Sequence, residues 1–181
     1  SGTSIRSSSP ARGKRMAIDL GPFTSSIKHE VVYPHPRERV WRALTDSDVL
    51  AAWLMDNDLG DLAVGETFEF RGDPVPLLWD GTVRCEVLVV EPPERLTVSW
   101  DGGGPSPETT VTWRLNAVEE GTRLRVSHEG LVGLRGLVMK LGLRGGWTSM
   151  YERTLPAVLD RIATGESPSQ AGRCAESSST A

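Results

Sequence analysis

Cysteine, histidine and lysine are scarce in this 181-residue chain, and none of its apolar runs is long. Of the two cysteines, Cys85 lies in a strand-like run and Cys174 in a polar stretch. A structural disulfide would pin that stretch across the fold, so none is expected, and a reducing cytoplasm is the expected compartment. Three scattered histidines (His29, His35, His128) and two distant cysteines make no metal site. Only three of the 20 cationic side chains are lysine, and the net charge is -4. A mixed, mildly acidic surface carries no nucleic-acid footprint. No stretch approaches the roughly 18–20 apolar residues of a membrane span. The Ser/Arg-rich start has no apolar core of a secretion signal. G-x-x-x-x-G-K-[ST], H-E-x-x-H, G-x-S-x-G and a strand-anchored G-x-G-x-x-G are all missing. Multi-turnover catalysis has no strong constellation, and neither a metal nor an organic cofactor is expected.

What is present is patterned. Residues 1 to about 25 mix Ser, Gly, Arg and Pro without periodicity and read as a disordered tail, as do residues 164–181. The folded body is expected over 27–163, without internal repeats. It opens with a strand at Ile27–Tyr33, placing His29, Val31 and Tyr33 on one face. Pro34 and Pro36 end the strand. A helix follows, with Pro36 or Arg37 in its first turn and an apolar stripe of Val40, Trp41 and Leu44. Thr45-Asp46-Ser47 supplies the N-cap of a second short helix, Asp48 to Leu54.

From Glu66 to Glu129 the period changes to two, with turn signals every 8 to 12 residues. The inward sets are Phe68/Phe70, Val83/Cys85/Val87/Val89, Leu96/Val98/Trp100, Val111/Trp113/Leu115 and Leu124/Val126/His128. This is an antiparallel meander with one wet and one buried face. The last element, about Gly145 to Ala163, has helical spacing through Trp147, Met150, Tyr151, Thr154, Val158 and Ile162. Pro156 inside it removes the backbone bond to Glu152 and should kink the rod. A sheet with one apolar face must cover it, and only this helix is long enough. The expected fold is therefore α+β. A curved antiparallel sheet of six to seven strands surrounds a long C-terminal helix, with two short helices after the first strand. One helix cannot fill a wide curved sheet, so a cavity is expected between them.

The stretch from Tyr33-Pro34-His35-Pro36 to Ala43-Leu44-Thr45-Asp46, then Leu50-Ala51-Ala52-Trp53, resembles the START-like (SRPBCC, helix-grip) superfamily. Within it, the likeness is to the branch of activators of heat-shock-protein-90 ATPase and their homologues. Gly65-Glu66-Thr67-Phe68, Gly81-Thr82-Val83, Pro92-Pro93-Glu94-Arg95-Leu96, Gly121-Thr122-Arg123-Leu124, His128-Glu129-Gly130 and Gly146-Trp147 carry the likeness across 27–163. The resemblance implies a ligand-binding domain for apolar or aromatic molecules. In size and layout the chain is also similar to enediyne (calicheamicin-type) self-sacrifice resistance proteins. In these the activated drug abstracts hydrogen from a backbone glycine. Fold alone does not fix function, so the site must be argued from residues.

Six of the eleven aromatics are tryptophan. Trp53, Trp79, Trp100, Trp113 and Trp147, with Phe70, Met150, Tyr151 and His128, are the candidate ligand-binding residues. The same rings equally serve as core packing. His128, on an inward strand position, and Tyr151 on the helix are the catalytic candidates of a cyclase. The segment Gly130 to Gly146 is six glycines rich, and is expected either as a lid or as a closely packed helix. Gly102, Gly103, Gly104 and Gly121 are candidates for a sacrificial glycine, because a glycyl Cα–H is unshielded and its radical is stabilised. The plainer role of each is a turn residue with positive φ, and that role comes first. Three functions follow in order: sequestration of a hydrophobic natural product with self-sacrifice, so not an enzyme in the ordinary sense; a polyketide aromatase or cyclase; and a chaperone ATPase-binding module. The expected partner is a small aromatic molecule, with neither nucleic acid nor membrane, and the expected state is a monomer or weak dimer.

Overall fold

The computed structural model describes residues 24–74, 79–103, 108–132 and 146–168. Gly104, the 133–145 part of the expected lid, and most of both expected tails lie outside the described residues.

Strand β1 spans Thr24–Tyr33, so regular structure begins inside the stretch read as a tail. Helix α1 (Arg37–Thr45) starts just after Pro36, and Asp46 caps α2 (Ser47–Ala51) by accepting from the Val49 amide at 3.3 Å. Val40, Leu44, Leu50 and Trp53 are buried as their spacing requires, whereas Trp41 and Leu54 are only half-buried. Strands β2 (Asp56–Asn57), β3 (Thr67–Arg71), β4 (Thr82–Glu91), β5 (Arg95–Trp100), β6 (Thr109–Val118) and β7 (Gly121–Val132) follow. All pair antiparallel, in the order β1-β7-β6-β5-β4-β3-β2. The meander β2–β7 thus brings its last strand beside β1. This is the helix-grip arrangement expected from the sequence.

Two local features depart from simple alternation. In β4 the register shifts between Val87 and Val89, so that Val90 faces Leu96 and Val89 faces Thr97. Val90, not the expected Val89, therefore packs against the core. A bulge flips every later side chain. A second irregularity lies between Ser25 and Ile27 on β1, opposite Leu131 and His128 on β7. There Gly130 takes φ +91°, the left-handed conformation a bulge of this kind favours.

The C-terminal helix is helical at 146–149, passes through a π-turn at Met150–Thr154, and continues as α-helix over Leu155–Ala163. Pro156 is the physical reason. The Leu155 amide bonds the Met150 carbonyl, five residues back. In that register the donor due to the Tyr151 carbonyl would be residue 156, and proline has none. The Tyr33 hydroxyl fills the gap, donating to the Tyr151 carbonyl at 2.7 Å. The expected loss at Glu152 thus appears as a π-turn, one carbonyl earlier.

Candidate functional site: an aromatic interior

Trp147, Tyr151, Leu155, Val158 and Leu159 turn one side of the C-terminal helix onto the buried sheet face. At its N-terminal end that contact is almost entirely aromatic. The Trp147 ring stacks on His128 of β7, with centroids 5.2 Å apart and planes 26° apart. It also meets Trp100 of β5 edge-on at 6.0 Å and Tyr151 at 5.8 Å. Tyr151 touches Trp53, from the end of α2, at 5.4 Å and stacks on His29 of β1 at 5.6 Å. Trp100 continues to Phe70 at 5.4 Å, and Phe70 to Phe68 at 5.2 Å. Strands from both margins of the sheet, a short helix and the long helix thus deliver rings to one interior. Tilted and edge-on contacts dominate, as ring quadrupoles favour.

The polar atoms within this cluster are few and specific. The Trp113 indole N–H donates to the Tyr151 hydroxyl at 2.8 Å. The Trp53 indole donates to the Ala43 carbonyl at 2.7 Å and is thereby spent on α1. Thr109 Oγ1 donates to the Trp100 carbonyl at 2.9 Å. That uses its single proton, so its 2.7 Å contact with His128 Nε2 must be one in which the imidazole donates. The tautomer is thereby fixed, and His128 Nδ1 is a bare acceptor. It is sealed from solvent and has no hydrogen-bond partner among the described residues. An orphan acceptor of this kind costs roughly 1–3 kcal/mol. Burial pushes the His128 pKa down to about 4, so the ring is neutral at physiological pH. Burial also raises both phenols, Tyr33 and Tyr151.

Of the residues singled out by pattern, Trp53, Phe70, Trp100, His128, Trp147 and Tyr151 meet in this network, and Trp113 joins it through its hydrogen bond. Met150 is half-buried against the same core. Trp79 stands apart on the β3–β4 margin. Its ring comes within 3.0 Å of the point where a Gly72 Cβ would lie, and its N–H donates to the Thr82 carbonyl at 3.0 Å. Four participants were not singled out as site residues, and of these Phe68 stands only among the inward strand residues. His29 and Tyr33 already shared an apolar face of β1 with Val31, which was the available signal. Thr109 gave none, because its role comes from sheet register alone.

The glycines divide by their surroundings. Gly121 (φ +133°) starts β7 with its Cβ direction filled, since an added carbon would stand 2.2 Å from the Tyr33 carbonyl oxygen. It lies seven residues, about 23 Å along a strand, from His128. Gly102 has nothing within 4 Å in that direction, and Gly103 (φ +76°) has only Asp80 Oδ2 at 3.9 Å. Both follow Trp100 by two or three residues and so lie at the aromatic end of the sheet.

His35, the third histidine, is a joint between elements. Its Nδ1 accepts from Arg39 at 3.1 Å, and its Nε2 donates to Asp160 at 3.0 Å. Cys85 is a buried free thiol pushed up to about 12, chiefly by burial, and so is no nucleophile at neutral pH. No described helix is long and apolar enough to cross a membrane.

Comparison with known proteins agrees with this architecture. The chain is similar to MLL2253 from Mesorhizobium loti, at 33% identity and TM-score 0.67 over 76% of this chain and 98% of that one. It is similar to DynU16, a protein of the dynemicin biosynthetic locus, at 27% identity and TM-score 0.62 over 79% of this chain. The match spans 49% of DynU16, about half that protein. It is also similar to CalU16 from Micromonospora echinospora, at 25% identity and TM-score 0.56 over 78% of this chain and 82% of that one. No curated protein matches. The model of the activator of Hsp90 ATPase homolog 1-like family matches residues 34–160, which carry both short helices, most of the sheet and nearly all of the C-terminal helix. The chain belongs to that family.

Proposed function

We propose that this chain binds a hydrophobic aromatic natural product between its C-terminal helix and its sheet. The carrying observation is the convergence of Trp100, His128, Trp147, Tyr151 and Trp53 on one interior, with few polar atoms among them. Flat apolar walls with a small number of placed polar groups suit a polycyclic ligand. A domain that needed only a filled core would achieve it with aliphatic side chains, at lower desolvation cost for the imidazole and phenol. Titration with polycyclic aromatics, read by quenching of tryptophan emission, tests this. Saturable quenching is expected, and a flat response across the panel would refute it.

In its most specific form the guest is an enediyne and the function is self-resistance. The similarity to DynU16, a protein of an enediyne biosynthetic locus, supports this reading, as does the position of Gly102 and Gly103 two and three residues beyond Trp100. The activated drug's aryl diradical would take a hydrogen atom from a glycyl Cα, giving an aryl C–H and a glycyl radical. Dioxygen would add to that radical, and the thiol that activates the drug would reduce the peroxyl to a Cα-hydroxyl with loss of water. The carbinolamide would break at its N–Cα bond into an amide and a glyoxylyl end. The drug's second radical centre would take its hydrogen from the same thiol. Mass spectrometry after incubation with a reductively activated enediyne is the test. Cleavage at 102–104 is expected, and an intact chain with unprotected DNA would remove the sacrificial form. A second reading, an aromatase or cyclase, draws on one observation. His128 is neutral with a free Nδ1 lone pair, which is the state a general base needs. Unchanged turnover in a His128→Phe, Tyr151→Phe double variant would end it.

A further inference from the structure

Among the described residues the aromatic interior leaves two buried ring nitrogens without a hydrogen-bond partner: His29 Nε2, which stands 3.8 Å from the Glu152 carboxylate, and His128 Nδ1. His128 Nε2 is committed to Thr109, whose own proton goes to the Trp100 carbonyl. His128 Nδ1 is therefore an acceptor by necessity, with no partner among the described residues and no contact with solvent. The His128 side chain is fully buried, at 0% exposure. A further, smaller vacancy in hydrogen bonding stands across Trp147. The Tyr151 hydroxyl accepts from Trp113 at 2.8 Å, and among the described residues no acceptor for its own proton is seen. Trp147 touches both groups, His128 at 5.2 Å and Tyr151 at 5.8 Å.

We propose that His128 Nδ1 is the acceptor for a hydroxyl group on the bound molecule, so that the ligand is a neutral phenol-type aromatic and not a bare hydrocarbon. This rests on the proposed ligand-binding function. Several constraints select that chemistry. The partner must donate, because Nδ1 holds no proton. It must be neutral, because a cation beside Nδ1 would sit among rings, while the carboxylate that reaches the network, Glu152, stands at His29 and is itself exposed. It must carry a flat apolar body, because the acceptor stands among Trp100, Trp147 and Tyr151. A phenolic O–H meets all three. The donor approaches Nδ1 in the plane of the imidazole, at right angles to the stacking direction along which Trp147 covers that ring. The neutral state of the imidazole down to about pH 4 keeps the acceptor available throughout the physiological range. A site built around a buried hydrogen-bonding group discriminates against analogues that cannot pair with it. An ether analogue, able only to accept, leaves Nδ1 unpaired.

Two probes differing in one group test this on the full chain: 2-naphthol and 2-methoxynaphthalene. We expect 2-naphthol to bind about tenfold more tightly than the ether. In His128→Phe, which keeps a flat ring and removes the acceptor, the two should bind alike. Because that variant carries a fold risk, the 15N resonance of His128 Nδ1 is followed in the unaltered chain. It should move upfield on addition of 2-naphthol, as a lone pair does when it gains a donor, and stay in place with the ether. Equal binding of both probes, or an Nδ1 resonance that ignores 2-naphthol, would overturn the acceptor role while leaving aromatic binding intact. Binding of neither probe would overturn the proposed function and this inference together.

Discussion

Stability against pH isolates His128. Its folded-state pKa is about 4, against about 6.5 in an unfolded chain. Below pH 6.5 the unfolded state takes up a proton that the folded state refuses. Stability is therefore fully present at neutral pH, falls as pH drops from 6.5 towards 4, and levels off below that. Integrated from pH 7.5 to 4.5, the loss is about 2.5 kcal/mol. The perturbation is His128→Phe, which cannot titrate. Urea unfolding of both proteins at half-unit intervals from pH 7.5 to 4.5 gives two curves, and their difference removes the contributions of His29, His35 and the carboxylates, which both proteins share. The unaltered chain should lose about 2.5 kcal/mol more than the variant across that range. Parallel curves would mean that His128 titrates normally. The sealed interior described above would then be wrong at its centre.

Other perturbations follow from the same contacts. Thr109→Val strips the acceptor from the His128 Nε2–H while preserving shape, and should cost roughly 1–3 kcal/mol in urea unfolding. Tyr33→Phe leaves the Tyr151 carbonyl without a donor beside Pro156. About 1–2 kcal/mol of lost stability is expected, with faster amide hydrogen exchange confined to the π-turn at Met150–Thr154. Gly121→Ala places a carbon 2.2 Å from the Tyr33 carbonyl oxygen at φ +133°. Thermal unfolding should show a loss of at least roughly 2 kcal/mol. Gly102→Ala meets open space and should stay within about 0.5 kcal/mol of the unaltered chain.

Much of this molecule is legible in its sequence because one period governs most of it. Alternation over 66–129 places Phe70, Trp100, Trp113 and His128 on the buried face, and helical spacing places Trp147 and Tyr151 opposite them. Those two patterns, with nothing else, bring the main rings together. Features that break a period were not legible. The β4 bulge transfers an inward place from Val89 to Val90, and no residue type near Leu88 announces it. Strand β2 is two polar residues long and is held by side chains: Asp58 accepts from the Glu69 amide at 2.7 Å, and Ser47 donates to Asn57 Oδ1 at 2.8 Å. Hydropathy cannot register such a strand. Pro156 signalled a disturbed helix, but whether it kinks or forms a π-turn depends on Tyr33, more than a hundred residues earlier. The His128 tautomer and its idle Nδ1 depend on Thr109, which only the β6–β7 register brings alongside.

The central claim, that aromatic rings of helix and sheet form the wall of a ligand site, is tested most directly by following the indole N–H resonances of the six tryptophans during titration with a polycyclic aromatic. Trp100 and Trp147 should shift together and saturably, with Trp53 and Trp113 following, while Trp41, half-buried on α1 outside the ring network, stays in place. Shifts confined to Trp41, or six unmoved indoles at saturating probe, would contradict the account.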